Sequence, residues 1–557
     1  MAHNSWDWYY PRPQLRRDSF LPLNRDWLLN GRPIQVPWPP QASLSEYGGQ
    51  AGEVLRYETA FTLPEGFVPQ GCRVLLHFGA VDQVAEVWVN GRSVIRHEGG
   101  YLPFSADVTD ALRSGENRLE VKAVDTLSHD YPYGKQHKRP RGMWYTPVSG
   151  IWQPVWLETV PERGAVSGLR LTPDLTGVDV EVEAGGAEFT VSVPLGEGRY
   201  VTARGMEGPV RLDIPHPHLW TTDDPYLYPL TVTTGTDRVE SYFALRTVDT
   251  REVNGRTRLC LNGEPVFLHG VLDQGYFADG LFLPGEPEEY ERDVLRMKEL
   301  GFNTLRKHVK IEPEAFYYAC DRLGMLVIQD MVNSGGYDYL RDTVIPNFVS
   351  KKRKDAGRGG SEKRKAFFER HCLDTVAQLQ NHPCIVGWTI FNEGWGQYDS
   401  DRICRLLKGA DPARFFVAAS GWFAQEEGDV QSEHVYFASR VLEGTRPGKF
   451  LLLSECGGFP FRVEGHAARD RKTYGYGGQA RTGGELTDRI RALYDGMVLP
   501  SVPKGLCGCI YTQLSDVEGE TNGLYTYDRQ VRKVDSQAMA DIARRLGAAL
   551  EDAVKSS

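Results

Sequence analysis

No run of about 18 consecutive apolar residues occurs in this 557-residue chain, so no membrane-spanning helix is expected. The opening MAHNSWDWYYPRP lacks a basic stretch followed by an apolar one, the pattern of a secretory leader. Cysteine is sparse: nine residues, an odd number, several inside apolar segments such as Cys384 before Ile-Val-Gly-Trp. That usage argues against a disulfide framework and fits reduced, buried thiols, so a cytoplasmic location is expected. There is no His-Glu-x-x-His, no Cys-x-x-Cys and no Gly-x-Ser-x-Gly, which removes the usual sequence signs of a zinc protease, a structural zinc site and a serine hydrolase. Cys507 and Cys509 have strand spacing and read as packing. Tyr476-Gly-Gly-Gln does not open a helix after a strand, so it is no nucleotide loop. Positive charge is not in excess. The formal net charge of −10 argues against nucleic acid as a partner.

What is present is ordinary in bulk and informative in order. Hydrophobic residues make up 41% and charged residues 25%, as in a soluble globular protein, and the length calls for about three domains. Residues 1–160 read as a β-sandwich: Val74-Leu-Leu-His-Phe and Val84-Ala-Glu-Val-Trp-Val alternate, and Asn90-Gly91 is a tight-turn signal. Residues 161–250 continue as short strands with no helical stretch, which suggests a small immunoglobulin-like sandwich. From residue 251 to 557 the period changes. Apolar runs alternate with helical segments such as Pro287–Leu300 and Pro313–Leu323, each stopped by a glycine. Eight strands are expected: Pro265–Gly270, Asn303–Arg306, Met325–Asp330, Ile385–Phe391, Phe415–Ala419, His434–Phe437, Phe450–Ser454 and Gly508–Thr512. This is the cadence of a (β/α)8 barrel. The basic, glycine-rich segment 351–365 follows the third strand and is expected to be mobile, on the face where barrel active sites lie.

Barrel catalysis takes place at the C-terminal strand ends, so those ends supply the candidates. Two glutamates, Glu393 and Glu455, each follow a very apolar strand. A lone glutamate at a strand end is commonly a surface acid; the pair is what points to chemistry. Glycoside hydrolysis needs one carboxyl to protonate the leaving oxygen and one carboxylate to stay ionised beside carbon 1. Glu393 is the expected acid/base and Glu455 the expected nucleophile. Arg306 is a cation that keeps a carboxylate ionised. Asn392 suits a sugar 2-hydroxyl, and Tyr436 suits the nucleophile or the sugar. Trp395 and Trp422 suit a sugar face, His308 a supporting position, and Asp330 a sugar contact or, with Asp516, a reserve acid.

These motifs resemble glycoside hydrolase family 2, the family of β-galactosidases, β-glucuronidases and β-mannosidases. Val84-Ala-Glu-Val-Trp-Val-Asn-Gly, Glu98-Gly-Gly-Tyr-Leu-Pro-Phe and Ser149-Gly-Ile-Trp-Gln-Pro-Val-Trp-Leu-Glu resemble its sugar-binding jelly roll. Asp224-Pro-Tyr-Leu-Tyr-Pro-Leu with Phe243-Ala-Leu-Arg resembles its immunoglobulin-like domain, and Leu261-Asn-Gly-Glu-Pro-Val-Phe-Leu-His-Gly-Val its first barrel strand. Phe391-Asn392-Glu393 and Ser454-Glu455 match its two catalytic signatures. The resemblance implies retaining, exo-acting hydrolysis of a β-linked sugar, with a glycoside or oligosaccharide as partner, no organic cofactor and a possible homo-oligomer. It also implies that the aromatic residue of the eighth strand is Tyr511. The family's Mg²⁺ and Na⁺ ligands have no clear counterpart here. Two departures bear on the sugar. Gly142 stands where galactosidases and glucuronidases carry an aspartate, and Asn522-Gly-Leu lacks the lysine that grips a uronate. β-Galactoside is the default reading. Lys135, Lys307 and the basic segment keep a uronide in play, as the resemblance does an α-L-arabinoside and, less favoured, a non-catalytic sugar-binding role.

Overall fold

The computed structural model describes residues 4–348, 353–358, 360–437, 439–468 and 473–555. The first sandwich stacks a four-stranded antiparallel sheet, with Val155–Pro161 and Cys72–Phe78 at its centre, on a six-stranded one centred on Val54–Thr62 and Glu116–Val124. Alternation decides which faces meet. In Val84–Val89 the residues Ala85, Val87 and Val89 are fully buried while those between them are half-exposed. The second sandwich packs three strands (Gly168–Pro173, Gly177–Glu183, Val210–Asp213) against four (Tyr200–Gly205, Phe189–Pro194, Tyr228–Thr234, Arg238–Phe243).

A small antiparallel sheet, Val248–Val253, Arg256–Leu261 and Glu264–Pro265, then leads into the barrel. Its Leu259 and Leu261 join the barrel's interior core with Leu268, Ile328, Val417 and Ile510, so this sheet plugs the bottom of the barrel. The barrel strands are β1 (Leu268–Asp273), β2 (Thr304–Lys307), β3 (Leu326–Asp330), β4 (Ile385–Asn392), β5 (Phe415–Ser420), β6 (Val430–Val435), β7 (Phe450–Gly457) and β8 (Leu506–Thr512). All pair in parallel in the order β5-β4-β3-β2-β1-β8-β7-β6. The ladder is open only between β5 and β6, where Gly421 N donates to Ser432 Oγ at 3.1 Å. No helix among the described residues is long and apolar enough to cross a membrane.

Two expectations shift. The sixth strand starts at Val430, four residues before the apolar run that suggested it, and ends before Tyr436. Its middle is Gln431-Ser432-Glu433, polar because it lies beside the open seam, so hydropathy alone misses it. The described part of the basic segment is tied down. Arg353 lies over the Phe423 ring at 3.8 Å and donates to Asp342 and to Gly394 O, and buried Asp355 accepts from Gln397 and Ser400. Lys351, Lys352 and Gly359 lie outside the described residues.

Candidate active site

Parallel strands deliver their C-terminal ends to one mouth, and the alternation of side chains selects which residues point into it. Arg306, 1% exposed, ends β2 and is the hub. Its Nε and Nη2 donate to the two Asp330 oxygens on β3, at 3.0 Å each. Nη2 also donates to Asn392 Oδ1 on β4 at 2.9 Å, and Nη1 to Glu455 Oε1 and Ser454 O on β7 at 3.0 and 3.1 Å. One planar guanidinium thereby fixes four strand ends, a geometry a lysine cannot copy.

Glu393 follows β4 with φ +53°, in the left-handed region. Such a conformation is costly for a non-glycine residue and tends to mark a functional turn. It swings the Glu393 carboxyl toward His434 on β6. The His434 Nδ1 lies 2.9 Å from Glu393 Oε1 and 3.6 Å from Glu455 Oε2, and Nε2 meets Ser420 Oγ at 2.9 Å. An oxygen of each glutamate and a ring nitrogen of His434 lie within 4.8 Å of one another. Tyr436 donates to Glu455 Oε2 and contacts Thr512 Oγ1 at 3.1 Å, and its ring stacks on Tyr476 at 3.7 Å.

The electrostatics bear on Glu455. Burial pushes the Glu455 carboxyl up, but the charges of His434, Arg306 and His308 and the Tyr436 hydroxyl together outweigh it and hold Glu455 well below the usual carboxylate range. Asp330 is likewise held low against burial by Arg306 and His308. Glu393, His434 and Glu455 are the one group of metal-ligating side chains among the described residues close enough to share an ion. Their atoms are already engaged by Arg306, Tyr436, Ser420 and one another.

The sequence candidates converge unequally. Glu393, Glu455, Asn392, Arg306, His308 and Tyr436 come together in the mouth. Asp330 does not offer itself to a sugar: Arg306 and His308, whose Nδ1 is 2.8 Å away, occupy both its oxygens. It is a positioning residue. Trp395 is not a free stacking face either. Its Nε1 donates to Gly335 O at 2.9 Å, and Tyr133, Trp144 and Tyr337 enclose the ring at 5.2–6.1 Å. Trp422 stands edge-on to His434 at 5.5 Å. Asp516 accepts from Lys533 Nζ at 2.5 Å and from Gly523 N, a structural pairing. Tyr511 points out of the barrel into the core against the helices. Beyond Thr512 it is Gln513 that turns inward, bonding Glu520, Asn522 and Gln274. Lys307, buried between Asp273 and Glu312 at 2.5 and 2.9 Å, is not available to a substrate.

Sequence reading missed His434, whose one clue is its spacing of two from Tyr436 on the same strand face. It also missed Glu520, which sits in a loop with no periodic signal. The first domain reaches the mouth as well. Tyr133 N and Gly134 N donate to Asn333 O beyond β3, and Tyr145 donates its hydroxyl to Glu520 Oε2.

Two sandwiches preceding a (β/α)8 barrel, with a buried and a half-buried carboxylate facing one another in its mouth, define the glycoside hydrolase class of barrel proteins. The chain belongs to glycosyl hydrolases family 2. The family's sugar binding domain matches residues 30–161, a further family 2 model residues 169–246, and the TIM barrel domain residues 252–441. Among curated relatives, a beta-glucuronidase of Felis catus is 28% identical over 60% of this chain and 54% of its own length. A beta-galactosidase of Thermoanaerobacter pseudethanolicus is 25% identical over 62% of this chain and 45% of its own. The chain thus spans about half the length of the curated relatives it matches. A solved beta-D-glucuronidase structure from Dictyoglomus thermophilum has the same fold, with TM-score 0.74 and 19% identity over 97% of this chain and 98% of that one.

Proposed function

We propose that the chain is a retaining, exo-acting β-glycosidase with Glu455 as nucleophile and Glu393 as acid/base. The observation that carries this is the closeness of the two carboxylates, an oxygen of each within 4.8 Å of the other, which fits the roughly 5–5.5 Å spacing of a retaining pair better than the roughly 6.5–9.5 Å of an inverting one. In the first step a Glu455 oxygen bonds to carbon 1 as the bond to the leaving oxygen breaks, and Glu393 delivers its proton to that oxygen. In the second, Glu393 takes a proton from water, which attacks carbon 1 and releases Glu455 as carboxylate. Arg306 and Tyr436 stabilise the Glu455 charge before attack and after release. Asn392, anchored through Oδ1 by Arg306, presents its amide nitrogen for the sugar 2-hydroxyl.

The names of the relatives divide between glucuronide and galactoside as glycone. The default β-galactoside stands beside a β-glucuronide that is at least as well supported, since the relatives are named beta-glucuronidase more often than beta-galactosidase. Initial rates on aryl β-galactoside, β-glucuronide, β-galacturonide, β-glucoside, β-mannoside and α-L-arabinoside test the proposal, each with wild type and Glu455→Gly. One strong substrate, its turnover lost in the variant and restored by azide as the inverted glycosyl azide, is the expected result. Full activity in Glu455→Gly would sink the assignment.

A further inference from the structure

Lys135 lies in the first domain yet is delivered to the barrel mouth. Gly134 sits at φ +63° so close to Val309 O and Tyr101 Oη that an added Cβ would fall 2.8 and 2.9 Å from them. The Gln136 side chain is fully buried, donating toward Asp82 and Tyr101 and accepting from Val148 N at 2.7 Å. Lys135 therefore has a fixed backbone between two immovable neighbours. Its own side chain is half-buried and makes no hydrogen bond or ion pair among the described residues. Its carbonyl accepts from Tyr145 N at 2.9 Å, and the hydroxyl of that same Tyr145 holds Glu520 Oε2, which also accepts from Gln513 Nε2 at 3.0 Å. Glu520 Oε1 has no protein partner among the described residues. One tyrosine thus ties the backbone of a free ammonium to a carboxylate with one free oxygen, and no direct ion pair closes between the two. Their charges nonetheless act on the same space: burial raises the Glu520 carboxyl, Lys135 is the strongest charge pulling it back, and Lys135 also acts on His308.

We infer that Lys135 and Glu520 are the specificity-determining pair of the glycone site, donating to and accepting from adjacent hydroxyls of a neutral sugar, and that the site disfavours a uronate. This rests on the glycosidase reading above. An ammonium only donates and a carboxylate only accepts, so together they satisfy a vicinal diol, in which each hydroxyl does both. A uronate carboxylate would find Lys135 but also face Glu520, with Glu455 close behind. Three further cations at the barrel strand ends, Arg306, Lys307 and Lys310, are already bound to Asp330, Asp273 and Glu312. A buried carboxylate left partly unpaired is costly.

The test is kcat/KM on aryl β-galactoside, β-glucoside and β-glucuronide for the full chain, Lys135→Met and Glu520→Gln. Calorimetric binding of a neutral aldonolactone and of the matching uronic-acid lactone accompanies it. Expected are a preference for the neutral glycoside of about tenfold or more and a loss of similar size in each variant, because a site built for hydroxyls suffers when a partner goes missing. In Glu520→Gln the glucuronide-to-neutral ratio rises. A wild type that prefers glucuronide and loses that preference in Lys135→Met would make Lys135 a carboxylate receptor and overturn the inference, as would unchanged neutral rates in both variants. If no glycoside is turned over, the glycosidase reading fails by itself. The lactones then decide: tighter binding of the neutral lactone, lost in both variants, supports the pair; tighter binding of the acid, or of neither, overturns it.

Discussion

At the scale of single residues the site is a balance of buried charge set by one side chain. Arg306 offsets two buried carboxylates, Asp330 and Glu455, and orients a third group, Asn392. Replacing it by Gln removes the guanidinium both acids share and leaves them to His308, His434 and Tyr436; removing one partner of a buried pair typically costs about 3–5 kcal/mol. The pH consequence has a definite sign. The Glu455 carboxyl is depressed in the folded chain, so its contribution to stability is present above the ordinary carboxyl value of 4.5 and is lost as pH falls through the lower folded value. Glu455 likewise stays ionised for attack well below that value. Without the Arg306 charge, burial is opposed by His434, His308 and Tyr436 alone and the carboxyl rises. Arg306→Gln is therefore expected to lower kcat/KM by about a thousandfold and to move the acid limb of its pH profile upward, with Arg306→Lys intermediate. An unmoved acid limb in a folded Arg306→Gln protein would separate Arg306 from the nucleophile.

At the scale of elements, the barrel strands announce themselves and the loops above them do not. The fully buried runs of β4 and β7, each closing on a glutamate, were legible because a strand buried on both faces reads as continuous apolar sequence. β6 was legible only from His434 outward. Trp395 shows where local pattern stops informing. It lies two residues past Glu393 and is aromatic, as a sugar platform would be, but Tyr133 of the first domain and Tyr337 of a barrel loop close over it. That packing joins residues more than 200 positions apart, and no sequence period encodes it. Its role is then structural. Trp395→Ala is expected to lower stability by about 3–5 kcal/mol, read as the urea midpoint, because it empties a buried aromatic site. KM on the best aryl glycoside should stay within about threefold at a temperature where the variant is folded. A large KM rise with unchanged stability would restore the sugar-platform reading.

At the scale of the whole molecule, each sandwich keeps a core between its own sheets, and a further buried cluster joins the first domain to the barrel. Trp6, Trp38, Tyr101, Tyr145 and Trp152 of the first domain belong to the same buried cluster as Phe277, Phe282 and Leu283 of the barrel. The indoles of Trp6 and Trp38 both donate to Pro284 O at 3.1 Å. Composition and strand spacing divide the chain into three stretches, yet they carry no information about this seam, since each aromatic is equally suited to a sandwich interior. Phe, Tyr and Trp bury about 150–250 Å² each, so stripping the first domain away exposes a patch beyond the roughly 300–600 Å² usual for a monomer. It also removes Lys135 and the Tyr145 hydroxyl that holds Glu520. Residues 161–557 produced without the first domain are thus expected to associate, seen by light scattering on size exclusion, and to lose turnover even though Glu393, Arg306 and Glu455 are all retained. A monodisperse product with the full chain's kcat/KM would mean that the first domain neither covers the barrel nor completes its pocket. Association with normal kcat/KM would leave the covering role and remove the pocket role, because the catalytic carboxylates would then read the sugar without help from the first domain.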